Sequence, residues 1–235
     1  RRRMEKIIKR LHGHYIVCGY GRVGRNVTHE LERTNRHFVA IDEEEAMLEA
    51  QKEKNPALLF LHGDASDDDL LVRADIEDAK GVFAVTGDDS KNLMIALTAK
   101  QLNPSVRVVA RCHELRNAEK MKKAGADAIV SPDFTGGMRI ASAMVRPHVV
   151  SFLDEMLRTE HKLRIEEVAV PKQFAPISLG KLGLRSPDYV LLAVRKQGDW
   201  VFNPGEDYII EPGNTLVAMA SPHGRQALEA ALLPA

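Results

Sequence analysis

Three glycines near the start of the chain have the spacing of a phosphate-binding turn. Gly19, Gly21 and Gly24 follow the short apolar segment Tyr15–Cys18, and a helical stretch begins at Arg22. In such a turn the first glycine allows the sharp bend, the second lets a pyrophosphate approach the backbone, and the third lets the helix pack on the strand. The helix then presents free N–H groups and the positive end of its dipole to the phosphates.

A carboxylate follows the next apolar segment. Asp42 comes directly after the segment 37–41, at the end of the second strand, where it can accept hydrogen bonds from ribose hydroxyls. Glu43 comes next, at a position where a site for a 2′-phosphate would carry an arginine. We therefore expect the ligand to be NAD(H) or a simple adenine nucleotide (ATP, ADP or AMP) rather than NADP. The alternative is a glycine-rich turn that binds nothing.

The composition is that of a globular protein and argues against several classes. Hydrophobic residues make up 44% of the 235 residues, charged residues 28%, and the net charge is zero, so we expect no nucleic-acid partner. Cys18 and Cys112 form no C-x-x-C pair, and we expect both to be buried thiols. The histidines show no zinc-ligand spacing, and no apolar run reaches the length of a membrane span.

The first residues are strongly basic. Six of the first ten residues are Lys or Arg, and Met4, Ile7, Ile8 and Leu11 fall on one helical face. We expect a basic helix over 1–12. It is either a solvated basic cap or a segment on the cytoplasmic side of a membrane, next to a transmembrane region that this fragment lacks.

Strands and helices alternate through the first half of the chain. After the first two strands, apolar strands are expected at 57–61, 81–85, 106–110 and 128–130, with helices at 67–74, 90–102 and 114–124. Parallel neighbours need crossover helices, so this alternation predicts an α/β fold with a Rossmann-like, doubly wound parallel sheet over 13–132.

Ligands of such sheets bind outside the carboxyl ends of the strands. Polar or small residues at those ends complete the candidate site: Asp64, Ala65, Thr86, Gly87, Asp88 and Arg111, beside the turn residues Gly19, Tyr20, Gly21, Arg22, Val23 and Gly24 and the carboxylate of Asp42. Asn92 belongs to the same candidate site, since it is expected early in the helix 90–102 and could reach the same crevice. For Asp88 in particular, helix capping is the competing role.

The pattern changes after Pro132. Two apolar helices, at 133–145 and 149–157, are separated by Arg146-Pro147 and predict a helical crossover over 133–160, either a dimer interface or an interdomain linker. Short strands at 163–170, 189–195, 200–202 and 215–220, with a closing helix at 224–233, predict a small α+β C-terminal domain over 161–235.

Several segments together resemble one family. They are His14–Gly24, Val39–Asp42, Gly63–Ala65, Gly125–Pro132 and a hairpin over Glu206–Asn214. They are similar to the RCK (regulator of K+ conductance) unit, the TrkA-N plus TrkA-C pair found on potassium channels and on the regulatory subunits of Trk and Ktr potassium transporters. Gly-Ala-Asp before the last strand, followed by Ser-Pro, is more distinguishing than the glycine turn.

The resemblance implies a function without catalysis. It implies a ligand-sensing gating-ring domain of a potassium channel, a homo-oligomer that forms dimers and then an octameric ring, in contact with a potassium-conducting transmembrane pore. The alternative is a stand-alone regulatory subunit of a Trk or Ktr transporter, and an NAD-dependent oxidoreductase is a third hypothesis. By position, Arg22 would contact the nucleotide phosphates, and Arg111 would lie on the same side of the crevice.

One departure from the family concerns metals. Calcium-gated members carry two carboxylates after the fifth strand, where this chain has Arg111, Cys112 and His113. A cation in place of oxygen ligands argues against that calcium site. Asp133 corresponds roughly to an acidic residue of another metal site in some members, but one carboxylate is too little to predict a metal ligand.

Overall fold

The computed structural model describes residues 2–157 and 164–233 of the chain. The chain divides into two compact units, 1–139 and 140–235. Within the described part, no helix is long and apolar enough to cross a membrane.

The N-terminal unit alternates strands and helices as predicted. Its elements are α1 (Arg2–Ile8), β1 (Tyr15–Cys18), α2 (Arg22–Arg33), β2 (Phe38–Asp42), α3 (Glu45–Lys54), β3 (Phe60–His62), α4 (Asp68–Arg73), β4 (Gly81–Ala84), α5 (Asp89–Leu102), β5 (Arg107–Arg111), α6 (Ala118–Lys123) and β6 (Ala128–Val130). Helix α7 (Pro132–Val145) begins in this unit and ends in the next. The six strands are all parallel, in the order β3-β2-β1-β4-β5-β6. This is the doubly wound arrangement, and the predicted fold class is confirmed.

Two apolar cores account for the sheet, one on each face. Successive strand residues point to opposite faces, so Ile16 and Cys18 join one core and Val17 the other, and all three are fully buried. Ile8 of α1 is also fully buried in the first core, which ties the basic helix to this unit. Cys18 and Cys112 are both buried free thiols, and burial raises the pKa of both.

Some predicted elements are wrong in extent. The segment 57–61 was expected to be a strand, but β3 begins only at Phe60. Residues 55–58 form a turn instead, in which Asn55 accepts the N–H of Ala57 through its side chain and the N–H of Leu58 through its carbonyl. The intervening α3 was not predicted, because only Leu48 of that helix is buried and the apolar periodicity is weak. Residues 115–117 form a 3₁₀ turn before α6.

The C-terminal unit is mainly antiparallel. It contains α8 (Pro147–Leu157), β7 (Arg164–Ala169), β8 (Ile177–Ser178), α9 (Leu179–Leu182), β9 (Tyr189–Lys196), β10 (Asp199–Phe202), β11 (Ile209–Ile210), β12 (Thr215–Ala220) and α10 (Pro222–Ala231). The main sheet has the order β10-β9-β12-β7. The start predicted for β7, residue 163, lies outside the described residues.

The predicted hairpin over 206–214 is wrong. Ile209 and Ile210 pair with Ser178 and Ile177 of β8, and not with the strand that follows the turn at 211–214. A fully buried Ile210 anchors this small second sheet to the core of the unit. A search for hairpins of consecutive strands would miss this pairing. The closing helix begins at Pro222 rather than 224, because Ser221 caps it.

Candidate functional site

The carboxyl ends of the parallel strands surround a cleft with a cavity of about 290 Å³. Its lining contains ten of the predicted site residues: Gly19, Gly21, Arg22, Val23, Asp42, Asp64, Ala65, Thr86, Gly87 and Arg111. Ile41, Glu43, Gly63, Val85 and Lys91 complete the lining. The topology explains the convergence, because β1 and β4 are the neighbours at which the strand order reverses.

The three glycines of the turn have different surroundings. Gly19 has a φ of +96°, and a Cβ on it would lie 2.8 Å from the Cα of Thr86. A Cβ on Gly24 would lie 1.9 Å from the carbonyl oxygen of Gly19, so this glycine lets α2 pack on the turn. A Cβ on Gly21 would meet no atom within 4 Å. Gly21 therefore leaves open space in the cleft at the N-terminus of α2, and no side chain caps that helix end.

Asp42 holds the glycine turn as well as facing the cleft. Its Oδ2 accepts the N–H of Tyr20 at 2.7 Å, and its Oδ1 accepts the N–H of Glu44 at 2.9 Å. A carboxylate has about four acceptor positions, so capacity remains for ribose hydroxyls.

Two arginines line the cleft. Among the described residues, neither Arg22 nor Arg111 forms an ion pair. Arg111 makes only a long contact of 3.5 Å to the carbonyl of Thr86, and its buried Nε has no partner there. Guanidinium groups with free donors suit bidentate binding of phosphate oxygens.

Carboxylates and one lysine also line the cleft. The ammonium of Lys91 lies 2.7 Å from Glu43 Oε1 and 3.1 Å from Asp64 Oδ2. The two partners raise the pKa of Lys91, with Glu43 contributing most. Hydrogen bonds from Ser66, together with Lys91, lower the pKa of Asp64 to about 2.

Four predicted site residues do not line the cleft: Tyr20, Gly24, Asp88 and Asn92. Asp88 caps α5, accepting the N–H groups of Ser90 and Lys91 at 2.7 and 3.1 Å. Asn92 is fully buried and joins two strand ends, accepting from the N–H of Thr86 and donating to the carbonyl of Arg111. Asn92 therefore positions the ends of β4 and β5, whereas Asp88 positions the start of α5.

The residues that the sequence did not single out are of two kinds. Ile41, Val85 and Gly63 are strand or turn residues whose neighbours were predicted, so the position of each strand end would have found them. Lys91 carried no signal, since its role depends on where the ends of β2 and β3 lie. Within the described ranges, no group of three or more His, Cys, Asp or Glu residues could hold a metal ion.

Known proteins are similar to this chain in sequence and in fold. The TrkA-N domain model matches residues 15–132. A chain named potassium channel protein 1 of Methanocaldococcus jannaschii is 37% identical over 222 residues, which are 94% of this chain and 67% of that protein. A protein named as a homologue of the Trk system potassium uptake protein TrkA, from Pyrococcus abyssi, is 26% identical, covering 86% of this chain and 90% of that protein.

One solved structure supports the same architecture. The crystal structure of the GsuK RCK domain covers 94% of this chain, with a TM-score of 0.51 and 23% identity, and this chain spans 47% of it. That likeness concerns the fold. The TrkA-N model matches the residues of the parallel sheet, and the potassium channel protein is similar over most of the chain. These findings together assign the family. The chain belongs to the TrkA-N family and has the fold of an RCK domain.

Proposed function

We propose that this chain is the ligand-sensing regulatory domain of a potassium channel, and that it binds NAD(H) or an adenine nucleotide in the cleft. The observation that carries the proposal is the polarity of the cleft. Arg22 and Arg111, neither of which forms an ion pair among the described residues, line the cleft together with Asp42, and the N-terminus of α2 has no side-chain cap. This is the arrangement that phosphates and ribose require.

A regulatory role follows from differential binding. A nucleotide shifts a conformational equilibrium only if it binds one state more tightly than the other. Arg22 adjoins the glycine turn, and the electrostatic interaction of its guanidinium with the phosphates differs among a dinucleotide, a diphosphate and a triphosphate. We expect Arg22 to be the residue through which such ligands are distinguished.

Assembly is part of the proposal. Helices α7 and α8 expose large apolar side chains, among them Met138, Ile140, Met144, Val145, Val149 and Phe152, at 49% to 84% of their surface. Exposed apolar groups of this size mark interaction surfaces. We propose that they form a dimer interface and that dimers build an octameric ring beside a potassium-conducting pore. Sedimentation should show dimers or larger even-numbered assemblies, and Met144→Glu should shift them toward monomers.

A stand-alone regulatory subunit of a Trk-type transporter is the second candidate. It is favoured by the similarity to the TrkA homologue, which this chain matches over nearly its whole length. The two candidates differ in partner. A channel should conduct potassium in liposomes as one polypeptide containing this domain, whereas a transporter subunit should require a separate membrane protein.

We propose no catalysis in the cleft. Its titratable lining residues are Arg22, Asp42, Glu43, Asp64, Lys91 and Arg111. Lys91 is paired with Glu43 and Asp64, and Asp42 accepts two backbone N–H groups. The described lining therefore offers no histidine, tyrosine or cysteine to exchange a proton during hydride transfer. Incubation with NADH and candidate carbonyl compounds should leave NADH unchanged.

Ligand binding tests the proposal directly. The thermal unfolding temperature should rise with at least one of NAD(H), ATP, ADP and AMP, corresponding to about 2.7 kcal/mol at a ligand concentration 100 times the Kd. Gly21→Glu should abolish the rise, because its carboxylate enters the phosphate space while its Cβ meets no atom within 4 Å. Asn26→Glu adds the same charge to an exposed position of α2 outside the cleft and should retain the response. Absence of any response in the unmodified chain would contradict nucleotide binding.

A further inference from the structure

One salt bridge in the cleft lining, called the ion bridge below, joins residues that follow different strands of the sheet. Lys91 belongs to α5, which follows β4, whereas Glu43 and Asp64 follow β2 and β3. Strand β1 lies between β4 and β2 in the sheet. The bridge therefore passes beside the end of β1, where the glycine turn begins.

The two carboxylates of the bridge have different supports. Asp64 is held on its own loop, since its Oδ1 accepts the N–H and the hydroxyl of Ser66 at 2.9 and 2.7 Å, which leaves Oδ2 for Lys91. The Glu43 side chain is 59% exposed, and among the described residues its carboxylate pairs with Lys91 alone. If the Glu43 charge is removed, Asp64 still orients Lys91, but Lys91 then has one carboxylate partner instead of two.

The bridge lies beside the expected position of the ribose. Asp42, the ribose acceptor, immediately precedes Glu43. In dinucleotide folds the 2′-position is recognised at the end of the second strand, where a carboxylate accepts the hydroxyl or a nearby cation accommodates a 2′-phosphate. This chain has both at that position, with the cation already paired with the carboxylate.

We propose that Glu43 determines ligand specificity by occupying Lys91, and that Lys91 is a latent ligand for a 2′-phosphate. The proposal rests on nucleotide binding in the cleft. In the unmodified protein a 2′-phosphate meets the charge of Glu43 and must replace it at Lys91, so nucleotides with a free 2′-hydroxyl are preferred. Without the Glu43 charge, Lys91 donates to the phosphate, and charge-assisted hydrogen bonds of this kind are among the strong ones.

Two ligand pairs that differ only by a 2′-phosphate test this inference. They are NAD against NADP, and AMP against adenosine 2′,5′-bisphosphate, with affinities measured by calorimetry. We expect Glu43→Gln to raise the affinity ratio of the 2′-phosphorylated member to its partner about tenfold, which is 1.4 kcal/mol. Glu43 is largely exposed, so this change should leave folding intact.

Two further variants assign the effect to its cause. Glu43→Gln combined with Lys91→Met should lose the gain, because the receiving ammonium is absent. Glu44→Gln removes the same charge from the adjacent exposed residue, which does not line the cleft, and should leave the ratio unchanged.

The outcomes separate this inference from the proposed function. If the unmodified chain binds none of these four ligands and neither NADH, ATP nor ADP, nucleotide binding itself fails. If it binds NAD or AMP but Glu43→Gln leaves the ratio unchanged, the inference is overturned while the proposed function stands. An equal gain in Glu44→Gln, or a gain that survives Lys91→Met, would also overturn it, since a general change in charge would then be the cause.

Discussion

The two units of the chain bury their sheets in different ways. In β2, the four residues from Phe38 to Ile41 are all buried, whereas in β12 buried and partly buried residues alternate from Thr215 to Ala220. The first pattern is that of a parallel sheet covered on both faces, and the second that of an antiparallel sheet with one covered face. In the first unit, polar chemistry is therefore confined to the strand ends.

The second unit keeps a sheet face available instead. Strand register places Val190, Met219 and Ile165 in one row across β9, β12 and β7. Val190 and Ile165 are 53% and 40% exposed, and on the edge strand β10 Phe202 is 76% exposed. The first unit thus has a cleft at its strand ends, whereas the second unit has an exposed sheet face. We therefore expect substitutions in the first unit, and not those in the second, to affect ligand binding.

The largest expected effects come from one glycine in each unit. A Cβ on Gly24 would lie 1.9 Å from the carbonyl oxygen of Gly19, and a Cβ on Gly224 would lie 2.1 Å from that of Asp188. Both contacts are with backbone, so we expect Gly24→Ala and Gly224→Ala each to cost roughly 3 kcal/mol of unfolding free energy. Only Gly24→Ala should also weaken nucleotide binding.

The single tryptophan, Trp200, makes the two effects separable, because it lies in the second unit. Gly224→Ala should lower the denaturant midpoint of the Trp200 fluorescence transition, and nucleotide titration at low denaturant should remain normal. Equal loss of nucleotide binding in both variants would show that the comparison between the units is wrong.

A smaller effect concerns pH and belongs to the cleft. The pKa of Asp64 is lowered to about 2, mainly by the Ser66 hydroxyl, whereas an unfolded aspartate titrates near 3.9. The unfolded chain therefore binds the proton first as the pH falls. The stabilising contribution of Asp64 is complete above about pH 5, is lost between about pH 4 and 2, and amounts to no more than about 2 kcal/mol.

Denaturation curves of Asp64→Asn check this prediction. Between pH 5 and 2 the variant should lose less stability than the unmodified chain, while the two should differ by a constant amount above pH 5. Parallel pH profiles of the two proteins throughout that range would contradict it.

The sequence predicted the architecture well because the signals for it are local. The strands 128–130 and 215–220 occur with the predicted bounds, since each is a short apolar run between turn residues. The small sheet of β8 and β11 was missed because its partners are about 30 residues apart and each is only two residues long, too short for a periodicity.

The candidate site divides along the same line. The glycine turn and Asp42 were found because backbone conformation and strand position constrain them directly. Lys91 was not, since an ion bridge between three separate strand ends depends on tertiary placement. Asp88 was predicted after the fourth strand and Asn92 early in the helix that follows, and both positions are observed, but the direction of their side chains could not be predicted from position. Ligand binding by all of these residues stays a prediction.

The smallest effects should come from two helix caps, one in each unit. Asp88 accepts two N–H groups at the start of α5, and Ser221 accepts the N–H of Gly224 at 3.0 Å at the start of α10. We expect Asp88→Ala and Ser221→Ala each to cost about 1 kcal/mol, in the range of about 0.5–2 kcal/mol. Asp88→Ala should cost more, because its charge also favours the positive end of the helix dipole.

Substitutions of Asp88 test whether this residue only caps α5 or also contacts the ligand. If this aspartate is only a cap, Asp88→Asn keeps an acceptor for the helix N–H groups and should restore most of the stability lost in Asp88→Ala. Nucleotide affinity should then change less than about threefold in either variant, since Asp88 does not line the cleft. A tenfold loss of affinity in a stably folded Asp88→Asn would require the carboxylate itself to contact the ligand. Asp88 would then count among the ligand-contacting residues, with Gly87 and Lys91 of the lining on either side of it in the chain.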